Sequence, residues 1–328
     1  MEVMEHMENM DDKEEQSFKP QYPAELYTKR PNDTALLSPI YDSTFKAIFT
    51  QDTEESNLAL RCFLSAVLNR KVLKVTLKPN EPVVETSEQK NMLFDISVEF
   101  DNGELADIEM QARSQNYNYG VRAEIMAARL LTNNAKKGQN WEASKVYQIS
   151  VLNFHYKNND KKEMRWYTMT DDSNEKLEER LNVIFIDLVT IRKLKDKPIS
   201  QLTPLEKWGL FFSYVDCEDK KDYINSIIES EQGIMEAEKI VETMSESDDN
   251  WFVQNSIWIA ERDRTASLEN AKKQGLEEGL QQGIQQGAQQ NAIETAKNFL
   301  KMDILTAEQI AQGTGLTLEK ILEIQKSI

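Results

Sequence analysis

The stretch MLFDISVEFDNGELADIEMQA, residues 92–112, decides how the chain folds. Phe94, Ile96, Val98 and Phe100 alternate with Asp95, Ser97 and Glu99, and after Asp101-Asn102-Gly103 the alternation resumes as Ala106/Asp107, Ile108/Glu109 and Met110/Gln111. A period of two is the signature of strands, so the segment reads as a β-hairpin. Glycine in third place suits a three-residue loop whose last member adopts the left-handed conformation. That loop sets Val98 against Ala106, Ile96 against Ile108 and Phe94 against Met110, a wholly apolar face. The other face then pairs Glu99 with Leu105, Ser97 with Asp107, and Asp95 with Glu109. A two-residue turn at Asn102-Gly103 would instead mix apolar and acidic positions on each face.

Directly opposed β-carbons lie about 5 Å apart. Carboxylates held that close repel unless a cation sits between them or one keeps its proton. Ligands that are all oxygen select a hard ion such as Mg²⁺ or Mn²⁺. The competing reading is an edge hairpin whose acidic face is simply solvated and resists aggregation.

Composition limits the chemistry. The chain has 328 residues, enough for a sizeable core, and its only cysteines, Cys62 and Cys217, lack the spacing of a thiolate zinc site or a disulfide framework. His6 and His155 are the only histidines, which leaves little material for imidazole metal sites or Ser-His triads. An enzyme built from this chain would work with carboxylates, lysines, amides and a hard metal. The net charge of −17 is unevenly spread: −6 over residues 1–15, zero over 16–200 and −11 over 201–328. The hairpin thus lies in a neutral stretch, where phosphate binding is not opposed by the overall acidity. An acidic opening, MEVMEHMENMDDKEE, and the lack of a long apolar run argue against a signal peptide or membrane span, so a cytoplasmic protein is expected.

Residues 1–35 read as a disordered acidic tail and extended lead-in, with Pro20, Pro23 and Pro31. From Asp42, helical spacing of Phe45, Ile48, Phe49, Leu60, Phe63 and Leu64 predicts helices up to about residue 69. VLKVTL, KVYQISVLNF, RWYTMT and LNVIFIDLV are strand candidates, residues 115–134 a helix with Val121, Ile125, Ala128 and Leu131 as its stripe, and 203–245 mostly helical. After Trp251, glycines 275, 279, 283 and 287 recur every fourth residue beside Leu276, Leu280, Ile284 and Ala288. Each glycine costs a helix about 1 kcal/mol against alanine. The row is therefore read as a close-packing helix surface that forms a homodimer through residues 251–300, against the alternative of a Gln-rich linker helix. Ala311, Gly315 and Ile321 have the spacing of a helix-turn-helix, although Glu319 and Glu323 give its second helix little basic surface.

An Asp, a hairpin and then Glu-x-Gln, with D-x-x-F-K upstream at Asp42–Lys46 and Arg122 eleven residues after Gln111, resembles the PD-(D/E)XK nuclease superfamily, in particular its recombination-promoting nuclease and transposase branch. The resemblance covers roughly residues 36–260 and rests on 38–49 and 91–131. It implies an α/β fold of the restriction-endonuclease type, a mixed central sheet flanked by helices, occupying 36–250, with an α-helical C-terminal extension at 251–328. It further implies a Mg²⁺-dependent endonuclease cutting DNA, with Mn²⁺ as a substitute and no small-molecule cofactor. Asp95 and Glu109 would be metal ligands with the Met110 carbonyl as a third, Gln111 would stand where the superfamily usually has lysine, and Asp42 would be the acid from the first helix, unless it is merely that helix's N-cap. Lys46 and Arg122 would contact phosphate, with Tyr117 stacking on bases; a solvated Lys46, an Arg122–Glu124 salt bridge and core packing of Tyr117 and Tyr119 are the plainer readings. A module that keeps the fold, lacks activity and binds DNA or protein through its helical tail is the alternative function.

Overall fold

The computed structural model describes residues 29–79, 94–114, 118–135, 141–157 and 162–327. Most of the expected acidic tail, and Tyr117, lie outside these residues. Six strands form one sheet: β1 (Val75–Leu77), β2 (Ile96–Phe100), β3 (Leu105–Gln111), β4 (Val146–Leu152), β5 (Met164–Thr168) and β6 (Leu181–Asp187), in the spatial order β1-β2-β3-β4-β6-β5. β3, β4 and β6 are parallel, and the remaining pairings are antiparallel. The chain is thus a mixed sheet with flanking helices and a long helical extension, the fold class read from the sequence.

The hairpin has the three-residue loop. Gly103 sits at φ +77°, Phe100 N–H donates to Glu104 O at 2.9 Å, and Ile96↔Ile108, Ser97↔Asp107, Val98↔Ala106 and Glu99↔Leu105 are partners. The ladder stops at Ile96, however, so Asp95 lies in the bend before β2 and is not a formal partner of Glu109. Both hairpin strands are interior to the sheet, with β1 covering β2 and β4 covering β3. The solvated-edge reading therefore fails: Asp107 and Glu109 are 0% and 1% exposed.

Helix α1 (Asp42–Thr50) and α2 (Glu54–Leu68) precede the sheet, α3 (Tyr119–Asn133) links β3 to β4, and the short α4 (Leu188–Arg192) follows β6. Then come α5 (Pro204–Tyr214), α6 (Lys221–Ser230) and α7 (Gln232–Ser245). Local chemistry sets their starts. Thr53 caps α2 by accepting from Ser56 N, Asn118 caps α3 by accepting from Val121 N, and Thr203 with Glu206 forms a capping box ahead of Pro204. Phe45 and Phe49 of α1, Phe63 of α2, and Trp208 and Phe212 of α5 form one aromatic cluster, with Phe49 stacked on Phe63 at 5.3 Å. This cluster fixes the apolar side of α1 and leaves Asp42 and Lys46 on its outer side.

Helix α3 covers the acidic face of the sheet, but not through the expected stripe. Ala123, Met126, Ala127 and Leu130 are buried, packed with Leu152, Val183, Phe185 and Val146, whereas Val121 and Ile125 are about half exposed. Alanines let the helix come close to the sheet, and the rotation this imposes turns Tyr119 and Arg122 toward β3.

The described residues form two compact units, 1–256 and 257–328. In the first, Ala35 and Leu37 pack on Trp251, and Gln254 accepts from Ser38 N at 3.0 Å, so the end of the lead-in is ordered. Helix α8 (Asp248–Met302) runs from the first unit into the second. In the second unit, α9 (Ala307–Thr314) and α10 (Leu318–Ser327) close a small core of Ala296, Ile310, Ile321 and Ile324, with Gly315 left-handed at φ +74° between them. The expected two-helix turn is therefore present. Apart from the chain neighbours and the helix's own nearby backbone, no atom lies within 4 Å of where a Cβ would stand at Gly275, Gly279, Gly283 or Gly287, and Leu276, Leu280 and Ile284 are about two-thirds exposed.

Candidate active site

Glu109 is the centre of the site. It lies on the interior strand β3 with its carboxylate facing α3, and four side chains donate to it. Arg122 Nη1 reaches Oε2 at 2.7 Å and Oε1 at 3.0 Å, Ser150 Oγ on β4 reaches Oε1 at 3.3 Å, and Gln111 Nε2 reaches Oε2 at 3.4 Å. The Tyr119 hydroxyl completes the set at Oε1; burial, then the charge of Glu109, pushes its pKa far up, so it remains a donor. A carboxylate removed from water is tolerable only when so bonded.

Asp95 lies in the bend just before β2, close enough for the Glu109 charge to act on it. Lys46 Nζ bridges Asp95 at 3.0 Å and Asp42, one helical turn away on α1, at 2.8 Å. Burial alone would lower the Lys46 pKa, but its hydrogen bonds to Asp42 and Asp95 outweigh that and hold the ammonium above its ordinary range. Burial pushes the Asp95 carboxyl up, the Asp42 charge adds to this, and Lys46 opposes both.

Asp107 forms the floor. Its Oδ1 accepts from Asp95 N at 3.1 Å, which pins the bend ahead of β2. Oδ2 and both terminal atoms of Gln148, its neighbour across the β3–β4 ladder, lie buried outside good hydrogen-bond geometry among the described residues, with Gln148 still close enough to oppose the effect of burial on the carboxyl. Burial, reinforced by the charge of Glu109, pushes Asp107 well above the usual carboxylate range and favours its neutral form.

The structure thus gathers Asp42, Lys46 and Asp95 into one ion-paired group and Glu109, Gln111 and Arg122 into another, the charge of Glu109 being felt at Asp95. Asp42 is the first residue of α1 and not its cap: Tyr41 holds the N-cap position, with no side-chain cap bond. Arg122 pairs with Glu109 and not with Glu124. The Met110 side chain turns to the apolar face, where it is buried. Its carbonyl follows from strand alternation: Gln111 O accepts Asn153 N on the β4 side, so Met110 O points to the β2 side, past the end of that ladder. Sequence reasoning missed Tyr119 and Ser150 as partners of Glu109, and gave Asp107 no role. Their one visible signal was polar residues, Gln148 and Ser150, at alternate places in the apolar run KVYQISVLNF.

Two cations thus already stand against the acids, and among the described residues no three His, Cys, Asp or Glu side chains surround one point. The donor set still suits a hard divalent ion by chemistry. Asp95 and Glu109 supply carboxylates and Met110 a carbonyl, while Asp107 Oδ2 is an orphaned buried oxygen nearby. Binding would require the Lys46 ammonium to leave Asp95.

The family model described as PD-(D/E)XK nuclease family transposase matches residues 39–271, a span that holds the whole sheet and this network. The chain belongs to that family. The family implies a nuclease acting on DNA, and PD-(D/E)XK nucleases typically use divalent metals. No curated protein and no solved structure matches the chain. Among the described residues, no helix is long and apolar enough to cross a membrane.

Proposed function

We propose that this family member is a Mg²⁺-dependent DNA endonuclease, active also with Mn²⁺, linked to recombination or mobile DNA and working in the cytoplasm. The observation that carries this reading is the convergence of Asp95, Glu109 and Gln111 with Lys46 and Arg122 at one end of interior strands. Asp95 and Glu109 would hold the ion, with the Met110 carbonyl as third donor. The chemistry it supplies when bound is Lewis-acid charge beside the phosphorus, the attacking water and the leaving 3′ oxygen. Lys46, on leaving Asp95, has Asp42 as its remaining partner and reaches toward phosphate. Tyr119 and Ser150 keep Glu109 oriented. Gln111 orients the attacking water through its amide and cannot deprotonate it. Arg122 offers its guanidinium to the scissile phosphate as Glu109 engages the ion, and Tyr117 stacks on a base. The nuclease domain is assigned to 36–250 and the assembly region to 251–328, with a homodimer formed along 251–300; a monomer by light scattering throughout the micromolar range would refute the dimer.

The two ion pairs favour one rival. Lys46 and Arg122 neutralise the acids without a metal, as in a module that keeps the fold, lacks activity and binds DNA or protein. Plasmid nicking separates the two readings. Parent protein should nick with Mg²⁺ or Mn²⁺ and not with Ca²⁺, and Asp95→Ala, folded by circular dichroism, should lose it. Equal activity in Asp95→Ala and parent would remove the assignment, and a parent inert in every ion would leave the binding module.

A further inference from the structure

Beside the carboxylate network, α3, β5, β6 and the loop after β4 enclose a groove of about 450 Å³. Gly120 and Glu124 line one wall, and Tyr156, Lys157, Tyr167 and Phe185 the other. We propose that this groove is a nucleotide subsite: it takes one unpaired nucleotide of the DNA strand next to the bond being cut, its base on the Tyr156 and Tyr167 rings and its phosphate on Lys157. The inference rests on the nuclease reading and assigns that site its flanking contact.

Three observations carry it. The first is chemical: Lys157 Nζ lies 5.6 Å from the Tyr156 ring centroid and 5.9 Å from that of Tyr167, so one cation stands over two partly exposed aromatic faces. Aromatic faces with a lysine at their rim are what single-stranded nucleic acid selects, because every base has a π-face and every link a phosphate. The Glu124 carboxylate on the facing wall is an acceptor for an exocyclic amino group.

The second is continuity. Phe185 packs on Tyr156 at 4.6 Å, Tyr167 at 5.7 Å and Tyr119 at 5.8 Å between ring centroids, and the Tyr119 hydroxyl bonds Glu109. The same first turn of α3 therefore gives Tyr119 and Arg122 to the acidic network and Gly120 to the groove. A strand with its phosphate at the Glu109 group would run on to this wall along that chain of rings.

The third is rigidity. Three successive residues after β4 are each locked: the Phe154 ring packs edge-on to Tyr119 at 6.0 Å, His155 Nδ1 pairs with Asp187 Oδ2 at 2.7 Å, and the Tyr156 hydroxyl fills the space where any Cβ on Gly120 would collide with it. Asp187 is itself held by capping Thr190 N at 2.8 Å. A platform fixed before the ligand arrives loses little entropy on binding.

The test uses the full chain, Ca²⁺ and a single-stranded DNA oligonucleotide carrying 2-aminopurine. The parent should quench the fluorophore. Tyr167→Leu should weaken binding roughly 5- to 150-fold and lose the quench. Lys157→Gln, an exposed residue whose loss leaves the core intact, should lower the slope of log affinity against log salt by about 0.7. Unchanged affinity, quench and salt slope in both variants, with unchanged melting, would overturn the subsite, even if the parent nicks plasmid. Conversely, a parent that quenches yet never nicks would refute the hydrolase and not the groove. Tighter quenching by the matching RNA strand would overturn DNA as the occupant.

Discussion

Replacing Arg122 by methionine tests whether Glu109 is a buried charge held by its partners. The carboxylate is 1% exposed, and Arg122 Nη1 touches both its oxygens, so the substitution leaves an anion with only the neutral donors Tyr119, Ser150 and Gln111. Stranding one member of a fully buried pair costs about 3–5 kcal/mol. Arg122 is 29% exposed and three neutral donors remain, so a cost of about 2–3 kcal/mol is expected, seen as a melting shift of roughly 4–12 °C. Adding Glu109→Gln removes the stranded charge, so the double variant should melt within a few degrees of the parent. If Asp95 and Glu109 hold a divalent ion, saturating Mn²⁺ should raise the melting point of Arg122→Met more than that of the parent, because the ion then supplies the missing charge. Differential scanning fluorimetry on four proteins, with and without Mn²⁺, reads all of this. An Arg122→Met protein melting within 1 °C of the parent, or simple additivity in the double variant, would refute the reasoning.

Other parts of the molecule make equally definite demands. Tyr119→Phe keeps the ring packing on Phe154 and Phe185 and loses only the hydroxyl on Glu109, so urea unfolding should show a loss of about 1.5–3 kcal/mol; under 0.5 would mean that Ser150 and Arg122 suffice. Asp216 is buried and pushed up to about 6, chiefly by desolvation. Its contribution is therefore fully present below about pH 4 and is lost as pH rises through 6, so Asp216→Asn should gain up to about 3 kcal/mol on the parent between pH 4 and 7.5; a pH-independent difference counts against this. Gly315→Ala forces a side chain into a left-handed position with open space around it, and should cost about 1–2 kcal/mol confined to the second unit, read as faster amide exchange in α9 and α10 with β3 unchanged.

The hairpin was legible because two independent local rules agree: strict alternation on both arms and a glycine at the one loop position with positive φ. What lay beyond was non-local. The partners of Glu109 that were missed, Tyr119 on α3 and Ser150 on β4, lie 10 and 41 residues away, and no spacing rule links them to it. The stripe of α3 was misread for a different reason. Alanine carries little hydrophobic signal, so Val121 and Ile125 outweighed Ala123 and Ala127 in the pattern; in the fold, small size wins because it lets the helix approach the sheet. Asp107 was visible as an acid on the polar face, but its role in pinning Asp95 N–H depends on β2 ending at Ile96, which alternation alone does not mark.

The position of Gln111 follows from where the cations already are. A lysine there would approach Oε2 of Glu109, the oxygen that Gln111 contacts at 3.4 Å and Arg122 at 2.7 Å. Two cations would then share one buried carboxylate, and neither would be offset, since of the neighbouring acids Asp95 is engaged by Lys46 and Asp107 favours its neutral form. A neutral amide avoids that repulsion and still donates to Glu109. On the proposed nuclease reading, the positive charge that lysine brings to the usual superfamily motif would come from α1 and α3, through Lys46 against Asp95 and Arg122 against Glu109. Gln111, Lys46 and Arg122 are therefore one linked choice, and changing any of them alters the charge seen by whatever binds between the two acids.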